Sequence, residues 1–155
     1  AEVTGPSGSA EIAPDFTLPL AGGGEVSLSD YEGKILVLDF WATNCAACVE
    51  ELPEYQEMYE SWDHERVEFL GVSLDGSVEM VEAFMDARED LVLPMAVGSN
   101  EMLQAYLGET WSIPAARVIG PEGTIAYEFG PGPSAAKVER AVTRLLGEGE
   151  PAEGG

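Results

Sequence analysis

Lys34-Ile-Leu-Val-Leu-Asp-Phe-Trp-Ala-Thr-Asn-Cys-Ala-Ala-Cys48 is the stretch on which the reading of this chain turns. Its first half, through Trp41, is an apolar run of strand length whose residues suit a buried β-strand. The next run, Val49 to Trp62, carries apolar residues at helical spacing. Cys45 and Cys48 therefore stand at a strand-to-helix junction, with the first sulfur beside the unpaired amides of a helix N-terminus. Those amides and the helix dipole favour a thiolate, the reactive form of cysteine. The pattern predicts thiol–disulfide exchange.

At 155 residues and 45% apolar, the chain suits one domain with a single core, and no apolar run approaches a membrane span. The opening Ala1-Glu-Val-Thr-Gly-Pro-Ser-Gly-Ser-Ala10 has neither an initiator Met nor a charged-then-apolar signal. A targeting segment or anchor is expected outside it. The 29 acidic against 7 basic residues, net charge −22, make nucleic acid and anionic lipid poor partners, since both need Lys/Arg clusters, and no nucleic acid is expected to bind. Solubility in ordinary salt and adaptation to high salt both account for such a surface.

The two cysteines, three positions apart, are the only ones. As a staple the pair is weak, since closing so short a loop contributes about 2 kcal/mol. As a zinc site it is incomplete, offering two thiolates where four ligands are the norm. His64, the single histidine, lies beyond the expected helix end and reads as a surface residue. No metal and no cofactor are expected.

Residues 1–12 read as a flexible lead-in, 13–146 as the folded domain and 147–155 as a disordered acidic tail. Phe16–Leu20 and Glu25–Leu28 flank a glycine turn and predict a hairpin. The first core strand covers about 34–41, the first long helix about 46–62 with Pro53 kinking it, and a second apolar strand 67–74. Ser77 is placed to cap a helix with Val78, Val81, Phe84 and Met85 inward, followed by a short extended segment within 91–97. Asn100 is the expected cap of a helix ending at Gly108. A hairpin, 115–119 and 124–129, and a helix begun by Ser134 complete the chain. This alternation argues for an α/β fold, a mixed sheet with helices on both faces and an N-terminal β-hairpin.

Phe40-Trp-Ala-Thr-Asn-Cys-Ala-Ala-Cys48, with Pro53 and Ser112-Ile-Pro114, resembles the thioredoxin superfamily. Ala13-Pro-Asp-Phe-Thr-Leu18, Val26-Ser-Leu-Ser29, Gly71-Val-Ser-Leu-Asp75 and Gly120-Pro-Glu-Gly123 are similar to its TlpA/ResA branch of extracytoplasmic, usually membrane-tethered thiol–disulfide oxidoreductases. The resemblance covers about residues 13–146. It implies a thioredoxin-like sheet, a cis-proline at Pro114 facing the cysteines, and Ile113 offering backbone groups to an extended substrate. It implies that Asp39 is the buried acid below the active site and Glu51 an active-site glutamate, where the alternative is one more solvated acid. Trp41 matches a position that packs the active-site strand, and we expect it, with Asn44, Ile113 and Pro114, to form the client-binding side. Asn44 departs from the usual Trp, Ala46-Ala47 from the usual Gly-Pro or Glu-Pro, and Gly71 from a Lys near the buried Asp.

The resemblance also implies an envelope or periplasmic location with a membrane tether outside this sequence, protein disulfide clients, and a donor dithiol protein that recharges the pair. A monomer is expected. Cys45 is the expected nucleophile and Cys48 the shielded resolving thiol, with Asp39 or Glu51 taking its proton. The Ala-Ala dipeptide gives a thiolate no support, and Asp39, Glu50 and Glu51 repel one. A reductant is the expected direction, nearer the ~−270 mV of thioredoxin than the ~−120 mV of DsbA. Two rivals stand beside it. A peroxiredoxin-like peroxidase needs a Thr and Pro set before its cysteine, and here only Thr43 precedes Cys45. A Cu(I)-binding role would use the two thiolates.

Overall fold

The computed structural model describes residues 11–149. At its centre β3 (Ile35–Trp41) is buried along its whole length. It runs parallel to β4 (Val67–Ser73) on one side and antiparallel to β6 (Ala115–Ile119) on the other. β5 (Met95–Val97) and β7 (Ile125–Phe129) complete a five-stranded mixed sheet in the order β5-β4-β3-β6-β7. A separate hairpin pairs β1 (Thr17–Pro19) with β2 (Glu25–Ser27). It covers the β5 edge through the Ala21 amide, which donates to the Met95 carbonyl at 2.9 Å, and so removes an open strand edge.

Alternation along β3 divides the core. Ile35, Val37 and Trp41 face α1 (Ala46–Ser61), α2 (Val78–Asp86) and α4 (Ala135–Gly149), with Cys48, Leu52, Tyr55, Val81, Val138 and Val142 among the residues packed there. Leu36, Leu38 and Phe40 face α3 (Asn100–Leu107) and the N-terminal hairpin. The period of two along an apolar strand is what lets one segment serve both halves. The thioredoxin-like fold with helices on both faces and an N-terminal hairpin stands as read from the sequence.

Local details differ from expectation in physically simple ways. α3 is capped by Ser99, whose side chain accepts from the Met102 amide at 3.1 Å, and Asn100 is its first helical residue. Ser and Asn are comparable caps, and the register of the apolar face chose between them. Pro53 lies inside α1 without ending it. The last helix continues through Gly147 to Gly149, three residues past the expected end at 146; a single exposed glycine weakens a helix without stopping it. The rest of the predicted tail, 150–155, lies outside the described residues, as do residues 1–10 of the lead-in. Glu11 and Ile12 are tied beside β7 instead: the Ile125 amide donates to the Glu11 carbonyl at 2.8 Å, and Ile12 makes an isolated bridge to Thr124. Among the described residues no helix is long and apolar enough to cross a membrane.

Candidate active site

β3 ends at Trp41, at the carboxyl end of the central strand, and four residues later Cys45 becomes the N-cap of α1. Its Sγ accepts from the Cys48 amide at 3.3 Å, so the helix N-terminus does meet the first sulfur. Cys45 is half-buried, and Cys48, one turn in, is 1% exposed. The two form a disulfide with their Cα atoms 5.3 Å apart. One sulfur can be approached from solvent and the other cannot.

The loop into Cys45 is held by Asp75, which the sequence analysis placed in the Gly71–Asp75 stretch without a role. Asp75, just past β4, accepts from the Thr43 amide at 3.0 Å and the Thr43 hydroxyl at 2.8 Å, and also from the Ser73 hydroxyl. Its own amide donates to Ser73 Oγ at 3.0 Å. Both segments leave the carboxyl ends of adjacent parallel strands, where loops of such sheets meet. An acid at the end of the second parallel strand is the signal in the sequence for this role.

Asp39 lies on the α1 face of β3 and is 1% exposed. Its cross-strand neighbours are Gly71 and Ala116, neither with a polar side chain, and its Oδ2 has no hydrogen-bond partner. Burial pushes its carboxyl well above the usual range, and the nearby Glu51 adds to the rise. Gly71 is small for a steric reason. A Cβ there would collide with Met95 Sδ and stand 3.1 Å from Trp41 Nε1, so the lysine of thioredoxins has no room.

Glu51 is 5% exposed, which removes the solvated alternative. Its Oε2 accepts from the backbone amides of Ser134, just before α4, and, at 2.8 Å, of Ala135, the first residue of α4. Ser134, expected to cap α4, turns its hydroxyl to the Gly132 carbonyl at 2.9 Å. The cap comes from α1. Burial raises the Glu51 carboxyl, the Ala135 and Ser134 donors pull it back down, and Glu54 raises it slightly. Two acids one helical turn from Cys48 or one strand beneath it are thus held in different ways.

The Ile113–Pro114 peptide is cis. Pro114 is buried, Ile113 is half-buried, and Ile113 and Cys45 pack against the same core cluster. The Pro114 carbonyl accepts from the Gly132 amide at 2.8 Å. Gly130, at φ +109°, approaches so closely that a Cβ would lie 3.0 Å from that carbonyl. Asn44 is exposed beside Cys45. Trp41 corrects the sequence reading: it is 0% exposed, with its ring 5.1 Å from Phe84, and no client can reach it. An apolar strand carries its last residue inward whenever parity puts it on the buried face. His64 sits at the surface on the Tyr59 ring, centroids 4.3 Å apart, with Nδ1 3.4 Å from Glu68.

The profile of the AhpC/TSA family matches residues 10–128. The thiol-disulfide oxidoreductase ResA of Oceanobacillus iheyensis is 37% identical over 120 residues, covering 74% of this chain. The chain spans 61% of that relative's length. Among solved structures, the pneumococcal exposed lipoprotein thioredoxin Etrx1 of Streptococcus pneumoniae superposes with a TM-score of 0.73 at 27% identity, covering 85% of this chain and all (100%) of its own. The thiol:disulfide interchange protein of Chlorobium tepidum superposes at 0.76 with 24% identity, over 88% of this chain and 96% of that one, a likeness of fold.

Proposed function

The chain belongs to the AhpC/TSA family, and from that premise we propose that it is a thiol–disulfide oxidoreductase that reduces protein disulfides in the extracytoplasmic space. The observation that carries this reading is the asymmetric pair: a disulfide at a helix N-terminus with Cys45 reachable and Cys48 covered. The name of the ResA relative points the same way.

In the reduced protein, the Cys45 thiolate attacks one sulfur of a client disulfide. A mixed disulfide forms and the other client sulfur leaves as a thiolate. Cys48 then gives its proton to the Asp39 carboxylate and attacks Cys45 Sγ, releasing the second client sulfur. The client gains two electrons and the pair closes. A donor dithiol protein reopens it, and Asp39 returns the proton to Cys48. Asp39 is assigned the proton because its Oδ2 has no donor to satisfy it and burial raises its carboxyl well above the usual range. Glu51 is assigned to position α1 against α4. Ile113 and Pro114 supply the backbone along which the client segment runs, and Asn44 flanks the reacting sulfur. A membrane tether preceding these residues would keep the domain beside its clients.

A peroxidase reading fits less well. The Thr43 hydroxyl, the group such a site would aim at peroxide, donates to Asp75. The deciding experiment is capture with Cys48→Ser. A client disulfide-linked to Cys45 is expected in an envelope extract, together with loss of insulin-disulfide reduction in Cys45→Ser. Full reduction by the Cys45→Ser protein would overturn the assignment.

A further inference from the structure

Arg117 is a charged residue on an apolar sheet face. It alternates along β6 with Ala115 and Ile119, both packed in the core half beneath α3. A guanidinium carries five N–H donors, and structural bonds account for three of them. Nε donates to the Tyr106 carbonyl at the C-terminal end of α3, at 3.3 Å. Nη1 donates to the Ala116 carbonyl at 2.9 Å and to the Phe129 carbonyl at 3.3 Å. Nη2 makes no hydrogen bond among the described residues, and it is not one of the atoms sealed in the interior without a partner. Arg117 lines an open groove of about 370 Å³. One end of a rigid donor fork is thus held at a cleft and left unused.

The groove adjoins the backbone assigned to the client. Trp111 and Ser112 in its wall lead directly into Ile113 and Pro114, and Ala115 follows them. Gly130 lines it too, where a Cβ would meet Ala115 Cα at 2.9 Å, so that wall is bare backbone lying tight on β6. The Trp111 side chain is a large apolar group left 40% exposed. Its charge also sets this groove apart. The groove holding Leu20 and Met95 has Glu82 and Asp86 in its wall, and the one holding Phe16 and Met102 has Asp15 and Glu101. The Arg117 groove has no carboxylate in its wall, although the chain carries 29 acidic residues. Glu109 is exposed beside Thr110 and lies outside the lining.

Resting on the oxidoreductase reading above, we propose that this groove is a client subsite for an acidic side chain, with Arg117 as its specificity-determining residue. A client segment laid along Ile113 sets a Glu or Asp near its reacting cysteine into the groove. The carboxylate accepts from Arg117 Nη2, and its methylenes rest on Trp111. Glu128, the cross-strand partner of Arg117, lies 3.5 Å from Nε, and Glu11 also acts on the guanidinium. Both temper the attraction and neither occupies Nη2. Burial works the other way. It lowers the Arg117 pKa, the mark of a charge partly stripped of water. Such a charge gains more from a carboxylate than a fully hydrated one does. The net charge of −22 repels acidic clients at long range, so an acidic residue is favoured only where it fits this groove.

The probe is a set of peptide disulfide dimers. Each half carries one cysteine and one Glu, moved in turn through the nearest positions on either side, with Gln peptides as controls. The reduced full chain converts a dimer to two peptide thiols while Cys45 and Cys48 close, and the thiols are counted after acid quench. At one position the Glu peptide should be reduced about tenfold faster than its Gln control, and the ratio should shrink toward unity in concentrated KCl. Arg117→Gln should abolish the ratio. A merely structural loss would slow both peptides alike and leave it in place. Because Arg117 also caps α3, Thr110→Glu is the second variant: it adds a carboxylate to the exposed wall, keeps the Arg117 bonds and should abolish the ratio as well. Binding is read apart from chemistry. A Glu peptide with serine in place of cysteine should shift the Trp111 indole N–H resonance of the oxidised chain, and the Gln peptide should not. Equal rates for Glu and Gln at every position, or a preference that survives in either variant, would overturn the proposal. A Trp111 shift in a protein that reduces neither peptide would sink the oxidoreductase reading and leave the subsite standing; no shift there would sink both.

Discussion

Asp39 and Glu51 are both carboxylates withdrawn from water near one disulfide, yet they are built into the protein on opposite principles. Glu51 satisfies two backbone donors at the start of α4 and takes the place of the local cap that Ser134 does not provide. Asp39 lies between Gly71 and Ala116 with an oxygen that satisfies nothing. A buried acid that accepts from backbone amides holds structure together. One left with an unused oxygen destabilises the fold and is available for proton transfer. The comparison divides two roles that were interchangeable in the sequence.

The largest expected effect breaks or upholds that division at Asp39. Asp39→Asn should slow resolution of the mixed disulfide about a hundredfold, measured by release of client thiol after rapid mixing. An equal loss in Glu51→Gln would erase the distinction. Asp39→Asn should also alter stability with pH. The fold raises the Asp39 carboxyl, so its favourable, protonated contribution is complete below the ordinary carboxylate range. It is lost as pH climbs toward the raised value. Denaturant melts should therefore coincide for the two proteins below about pH 4. At pH 8 the variant should be more stable by on the order of 2 kcal/mol.

Glu51→Ala sharpens the other half. It strands the Ser134 and Ala135 amides, and stability should fall by about 2–4 kcal/mol at pH 7. Glu51→Gln keeps an acceptor and should recover most of that loss. Recovery of neither would mean that the carboxylate charge, acting on the α4 dipole, dominates over the hydrogen bonds. A smaller effect is expected outside the pair, at Asp75. Asp75→Ala frees Thr43 and Ser73 and should cost about 1–2 kcal/mol. It should also reduce turnover a few-fold, because Cys45 is then less firmly aimed.

Much of this could be read along the chain. Hydrophobic period and turn residues located β3, α1, β4 and the C-terminal hairpin, because these signals act over a few residues and need no partner. The spacing of Cys45 and Cys48 at a strand-to-helix junction pointed to the proposed chemistry for the same reason. What stayed hidden depends on contacts between distant residues. Nothing local distinguishes Glu51 from the solvated acids around it until α4, 83 positions later, presents its amides. Asp75 had no role of its own until Thr43, 32 residues earlier, was folded against it. Trp41 looked like a client contact until the parity of β3 turned it inward.

The sequence by itself thus determined the order of elements, the reactive pair and the acidity of the surface, all properties of composition and short-range pattern. Only the tertiary structure decided which acid is satisfied and which residue holds the loop before Cys45. Desolvation and hydrogen bonding are set by what long-range packing brings around an atom, and a chain written in one dimension does not contain that environment.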